Sequence, residues 1–261
     1  MATTVDLVAD LGEAFGSYSM GDDLALLEMV TSANIACGFH AGDPVVMNRT
    51  VAECARRGIA VGAHPGFPDL VGFGRRAMDL TQNEVMTDTL YQIGALHAFA
   101  TAHRTPLTHI TPHGRLGNLV VIDDRYAQGV LDAVTAYDPT LIVVTQAGRL
   151  ADLARQASIP VSILGIADRA YNADGTLVSR ALPGAVVTDP DDVADRVVRM
   201  VVDNIVLAVD GTEVPIDCDT VLLHGDTPGS VHLARTIRAR LDAAGVHIAP
   251  MSRVLGAKVR R

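Results

Sequence analysis

The 261-residue chain has no tryptophan, and its five tyrosines and five phenylalanines leave it only 4% aromatic. A core built from it therefore draws on Val, Leu, Ile and Ala, the palette of buried parallel strands covered by helices. Three cysteines, Cys37, Cys54 and Cys218, are an odd number in no metal-finger spacing. That argues against a disulfide framework and for a reducing compartment, with the cytoplasm as the expected address. Basic residues are in deficit, 21 against 30 acidic ones for a net charge of −9, so neither nucleic acid nor an anionic membrane is expected as a partner. No apolar run reaches bilayer length, and the opening MATTVDLVADLGE places acids where a signal peptide needs hydrocarbon. Also missing are a G-x-x-x-x-G-K-[ST] loop, a G-x-G-x-x-G after a strand and a G-x-S-x-G elbow, so no common nucleotide cradle or serine nucleophile is visible.

What is present is hydrophobic content of 49%, enough to bury one large core, and residues 1–261 are expected to form a single barrel-type domain. Short β-rich apolar runs alternate with helix-length segments, the pattern of βα units around a mostly parallel sheet. Strands are predicted near 4–9, 32–36, 59–63, 107–111, 141–145, 160–166 and 220–224. Helices are predicted over 22–30, 44–57, 82–103, 124–136, 148–157, 189–207 and 229–244, several opening on capping residues such as Asp43-Pro44 and Thr81. Seven such repeats predict an incomplete or distorted barrel. Segment 169–188 reads as an excursion with a hairpin at Asp174-Gly175 and a turn at Pro183-Gly184. The basic end RVLGAKVRR reads as a frayed tail.

Nearly every predicted strand runs into Gly mixed with acids, His or amides. Strand 1 ends in Asp10-Leu11-Gly12-Glu13, strand 2 in Cys37-Gly38-Phe39-His40-Ala41-Gly42-Asp43, and strand 3 in Ala63-His64-Pro65-Gly66. Later strands give Pro112-His113-Gly114, Gln146, Asp168-Arg169 and His224-Gly225-Asp226. In parallel α/β folds the C-terminal strand edge is where loops converge and ligands bind. These residues supply general acids and bases but no acyl nucleophile motif, so activated water is the economical agent. Cys37 is expected to pack, since only a nearby His lowering its pKa would make it a nucleophile. Asp10, His40 and His64 would offer mixed O/N donors, making a divalent metal one reading, but their spacing is not local and no metal ligand is assigned. Gly72-Phe73-Gly74-Arg75-Arg76 offers backbone donors and two guanidiniums to a phosphate, or is a surface turn with solvated arginines. The small residues in Tyr91-Gln92-Ile93-Gly94-Ala95-Leu96 suggest close helix packing.

The strings DLGEAFG, TSANIACGFHAGDP, GAHPGFPDLVGFGRR, YQIGAL, PHG, ADRAYNADGTLVSR and HGDTPG, in this order over about residues 5 to 245, resemble the LamB/YcsF family from end to end. The resemblance implies a distorted seven-stranded TIM-like barrel of the glycoside hydrolase/deacetylase type. It further implies the A-subunit role in a bacterial ATP-dependent 5-oxoprolinase, which opens the lactam of 5-oxo-L-proline to L-glutamate with subunits B and C as partners. ATP, as co-substrate, would activate an unstrained lactam by phosphorylating its oxygen. Carried over by residue, catalysis falls to Asp10, His64, His40, His113 and Asp168, with Asp10 or His64 the first candidates for the base. Glu13, Asp43, Arg115, Asn118, Arg169, His224 and Asp226 are expected at the substrate, and Arg75 and Arg76 at phosphate.

Three positions depart from the family pattern. Val8 stands where Asn is usual, Thr111 where Lys is usual, and Leu164 where Glu is usual. Losing an amide, a cation and an anion from one pocket should change the ligand, because buried polar complementarity decides discrimination. Arg115, where Ala is usual, would restore the charge lost at Thr111, and Gly117 in place of Tyr would leave it room. The alternatives are a related cyclic-amide hydrolase, a metal-dependent deacetylase-like amidohydrolase acting alone, and a non-catalytic protein that binds small molecules within a larger complex.

Overall fold

The computed structural model describes residues 3–225 and 229–258. Its strands are β1 (Thr4–Leu11), β2 (Ser32–Ala36), β3 (Ala60–His64), β4 (Leu107–Ile110), β5 (Ile142–Thr145), β6 (Val161–Ile166), β7 (Ile205–Leu207), β8 (Glu213–Pro215), β9 (Thr220–Leu223) and β10 (His247–Ile248). Its helices are α1 (Asp23–Leu26), α2 (Pro44–Arg57), α3 (Gln82–Ala102), α4 (Gly114–Ile122), α5 (Asp124–Tyr137), α6 (Arg149–Gln156), α7 (Pro190–Val198), α8 (Ser230–Ala243) and α9 (Met251–Lys258). Strands β1-β2-β3-β4-β5-β6-β9 run parallel in that order, and β9 pairs back onto β1. The sheet is a closed seven-stranded barrel, matching the expectation of seven βα repeats. No helix among the described residues is long and apolar enough to cross a membrane.

Each strand alternates between the helix layer and the lumen. In β1, Val5, Leu7, Ala9 and Leu11 join the outer core, while Val8 packs in the lumen beside Ile142, Val144, Leu164, Ile166 and Leu222. The same phase puts Asp6 at the base of the barrel, hydrogen-bonded by Thr31, Ser32 and Thr220, and Asp10 at the top. Gly62 is required by the layer it faces, for a Cβ there would collide with the ring of His109.

Several elements differ from expectation. The helix predicted over 189–207 ends at Val198, passes through a π turn (Arg199–Asp203), and reverses at left-handed Asn204 (φ 58°) into the β7–β8 hairpin. The β-branched run Ile205-Val206 there pairs as a strand. The helix expected over 22–30 shrinks to Asp23–Leu26, and α4, β10 and α9 lie where no element was expected. Far from fraying, α9 places Met251 in the lumen cluster and ties Lys258 to Asp217 (2.7 Å) and Asp219. Segment 169–188 folds back through bridges Arg169↔Val186 and Tyr171↔Leu177. In α3, nothing lies within 4 Å of a Cβ built at Gly94, so it is not the close-packing contact predicted.

Candidate functional site

Five side chains from consecutive strand ends meet at the top of the barrel. Asp10 lies at the end of β1 and Glu13 follows it. His40 comes from the loop after β2, His64 is the last residue of β3, and His113 is the N-cap of α4 after β4. One donor atom from each of Glu13, His40, His64 and His113 lies within 4.8 Å of the others, and all four residues are buried. His64 Nε2 lies 3.4 Å from Asp10 Oδ1, and Glu13 Oε1 lies 3.5 Å from His40 Nε2 and 3.8 Å from His113 Nδ1. The His40 and His113 rings stack at 3.7 Å between centroids.

The tautomers follow from the partners. Nδ1 of His64 lies 2.6 Å from Thr111 O, and Nε2 of His113 lies 2.9 Å from Phe73 O. A carbonyl only accepts, so those two nitrogens carry protons, and in neutral rings His64 Nε2 and His113 Nδ1 would present lone pairs to each other. Those lone pairs are 3.0 Å apart, and both ring nitrogens of His40 are buried without a hydrogen bond. Burial, with His40 and His64 as neighbours, holds the pKa of His113 well below the usual imidazole value; burial, His64 and Arg75 do the same to His40. Three imidazoles and a buried carboxylate whose donor atoms converge in this way are the donor set of a divalent cation. These residues fit such an ion, whose ligands would be Glu13, His40, His64 and His113.

Asp10 is supported from below. Asn34 Nδ2 donates to Asp10 Oδ1 (2.8 Å), and Asn34 Oδ1 takes the hydroxyl of Thr111 (2.8 Å) and faces His109 Nε2 (3.0 Å). Burial opposes ionisation of Asp10, but His64, His224 and the Asn34 amide outweigh it and hold its pKa below the usual carboxylate range. Across the cavity, His224 Nδ1 donates to Asp168 Oδ1 (2.7 Å), and Arg180 Nη2 lies 3.2 Å from Nε2. Burial and Arg180 disfavour an imidazolium there, yet Asp168 and Asp10 raise the His224 pKa above its ordinary value.

Asp10, Glu13, His64, His113 and His224 border a cavity of about 480 Å³, with Arg75, Arg115, Asn118 and Arg180 among its lining, a size typical of small-molecule sites. Arg115 Nε is buried there without a hydrogen-bond partner. Arg75 lies over the Phe73 ring, 4.8 Å from its centroid. Phe73 and Gly74 hold left-handed backbone (φ 53° and 61°), and a Cβ at Gly74 would come within 2.8 Å of His40 and 2.9 Å of His113. The GFGRR loop is thus the wall that seats the histidine pair.

Other expected site residues are placed elsewhere or differently employed. Arg76 turns to Asp69 (Nε to Oδ1 2.7 Å) and is not among the described residues lining the cavity. Asp43 caps α2, accepting from Val45 N and Val46 N and from Gly16 N. Arg169 borders the cavity, but its guanidinium donates to Ala185 O and Val178 O, stapling the 169–188 segment. Asp168 acts through His224 rather than lining the cavity. Asp226 lies outside the described residues. Cys37 is buried with its thiol pKa pushed up to about 12 by burial, so it packs, as expected.

Two supporting residues lie within the strings that carry the family resemblance, with no role at the site expected of them. Asn34 sits inside an apolar strand, and Gln92 of α3 clamps the His64 loop by accepting from Gly66 N (2.9 Å) and donating to Gly66 O (3.0 Å). The departures fall together: Val8 and Leu164 share the lumen cluster, and Thr111 turns to Asn34.

Residues 5–256 match the model of the LamB/YcsF family. The 5-oxoprolinase A-subunit of Pyrococcus furiosus is 48% identical over 248 residues, covering 95% of this chain and 97% of that one. The 5-oxoprolinase A-subunit of Acinetobacter baylyi is 49% identical over 245 residues, covering 94% and 96%. A lactam utilization protein from Thermus thermophilus is similar in structure with a TM-score of 0.89 at 44% identity, covering 94% of this chain and 99% of that one.

Proposed function

The chain belongs to the LamB/YcsF family, and from that premise we propose that it hydrolyses a cyclic amide, opening 5-oxo-L-proline to L-glutamate as the A-subunit of an ATP-dependent 5-oxoprolinase. The observation that carries the reading is the convergence of Asp10, Glu13, His64 and His113 on one cavity, with His40 completing the donor cluster behind them. In the reaction a water oxygen bonds to the lactam carbonyl carbon, the C–N bond breaks, and the nitrogen leaves with a proton. Companion subunits are implied by relatives whose own names designate them A-subunits; B and C are proposed to be those partners, with ATP as co-substrate whose γ-phosphoryl passes to the lactam oxygen as ADP leaves and is released as inorganic phosphate when water completes the carboxylate.

The residues divide the work. Arg115, with an unpartnered buried Nε at the cavity, binds the substrate carboxylate, and Asn118 and Arg75 border the same space. Asp10, kept ionised and aimed by Asn34, accepts the proton of the attacking water. It is the better base than His64, whose Nε2 points into the donor cluster. His224, its proton held by Asp168 and Asp10, delivers a proton to the leaving nitrogen. A divalent cation held by Glu13, His40, His64 and His113 would lower the pKa of a water into the reach of a weak carboxylate base.

The test is glutamate release from 5-oxo-L-proline and ATP by this chain with subunits B and C. Release that disappears in Asp10→Asn is expected. No release from the complete mixture would sink the reading. Hydrolysis by the lone chain without ATP would instead move it to the self-sufficient amidohydrolases.

A further inference from the structure

Beneath the donor cluster the cavity wall changes character. Leu164 and Ile166 of β6, Leu222 of β9 and Leu177 of the 169–188 segment border the same space as Asp10 and His64. Leu164, Ile166 and Leu222 belong to the lumen cluster, whereas Val143 and Val221 of β5 and β9 face the helix layer. These lumen aliphatics are buried from bulk solvent and form the apolar part of the cavity lining. A small polar lactam seated at the histidines would leave this hydrocarbon against water, which is unfavourable in proportion to its area.

We propose that the site selects a cyclic amide carrying a hydrocarbon substituent as well as a carboxylate. The amide meets Asp10 and the histidines, the carboxylate meets Arg115, and the substituent packs on Leu164, Ile166 and Leu222. The inference rests on the cyclic-amide reading above and narrows its substrate class. Arg75, Arg115 and Arg180 are all at the cavity, so an anionic group is retained while the lumen side is neutral.

Calorimetric titration of the full chain tests this with 5-oxo-L-proline and its 3- and 4-isobutyl derivatives. Each methylene buried strengthens binding roughly fourfold, so one isobutyl isomer is expected to bind at least tenfold tighter than the parent. Leu164→Gln, which puts an amide in the wall at similar size, is expected to cut that ratio to about twofold. Should that variant fail to fold, Leu222→Ala, which only removes hydrocarbon, is expected to lower the ratio severalfold. Parent binding equal to or tighter than both isobutyl isomers, or a ratio unmoved by either variant, overturns the inference while leaving the cyclic-amide reading intact. Failure of all three lactams to bind overturns the inference, while glutamate release by the complete mixture decides the cyclic-amide reading separately.

Discussion

Nε2 of His64 and Nδ1 of His113 face each other at 3.0 Å, each ring having committed its other nitrogen to a carbonyl, Thr111 O for one and Phe73 O for the other. Two lone pairs at that distance repel, and the contact is favourable only with a proton or a cation between them. Glu13 Oε1 and the unbonded nitrogens of His40 complete a four-residue donor set. Equilibrium dialysis against zinc or manganese is therefore expected to load about one ion per chain. His113→Gln should weaken loading by more than about 100-fold, beyond the usual cost of losing an outer-shell partner. Undiminished loading in that variant would remove His113 from the ligand set.

Asn34 is the residue through which Asp10, Thr111 and His109 are held together. Asn34→Ala should cost about 1–3 kcal/mol of stability through unpaired buried groups and about 10–100-fold in kcat through the lost orientation of Asp10. Denaturant melts and steady-state rates on the same preparation check both. A stability loss with unchanged kcat would confine Asn34 to a packing role.

Arg115 is argued to meet the carboxylate of the substrate. Charge-assisted hydrogen bonds contribute about 1.5–3 kcal/mol, so Arg115→Ala should weaken binding of 5-oxo-L-proline by about 10–100-fold. Affinity for the uncharged 2-pyrrolidinone should barely change. Equal losses on both ligands would count against a charge-specific role.

Gly74 holds φ 61° and lies where a Cβ would press on His40 and His113. Gly74→Ala should cost about 1–2 kcal/mol for the left-handed backbone and should also loosen metal binding by moving the histidine pair. Gly184, at φ 75° with nothing within 4 Å, is the control: its Ala variant should carry a similar backbone cost and leave metal affinity as it was.

Asp6 provides the pH test. Burial raises its pKa from 3.8 to about 6, against lowering by Thr220, Ser32 and Thr31. A raised folded pKa contributes stability that is fully present below the unfolded value, near 4, and lost as pH climbs through about 6. The loss is roughly 3 kcal/mol. Asp6→Asn should flatten unfolding free energy between pH 4 and 7 and should exceed the parent above pH 6. A parent curve already flat in that window would show that the carboxylate is not penalised.

Much of the barrel was legible because parallel strands announce themselves as short β-branched runs between helix-length segments, and all seven barrel strands fall within a residue or two of their predicted bounds. The β7–β8 hairpin was not, because Val197 through Leu207 is apolar enough to continue a helix and only the left-handed turn at Asn204 and pairing with Glu213–Pro215 end it. Helix α4 was hidden behind its own cap, His113-Gly114, which reads locally as a loop.

Strand phase and length are local properties, so the residues that stand at strand ends are legible along the chain alone. That was enough to nominate Asp10, Glu13, His40, His64, His113 and His224. What each then does was decided by the closed barrel. Arg76 and Asp43 belong to Asp69 and the α2 N-terminus, Arg169 to the carbonyls of its own loop, and Asn34 to three partners on β1 and near β4. Hydrogen bonds and lone pairs act over about 3 Å, and no pattern along the chain fixes which groups from different strands are brought within that distance.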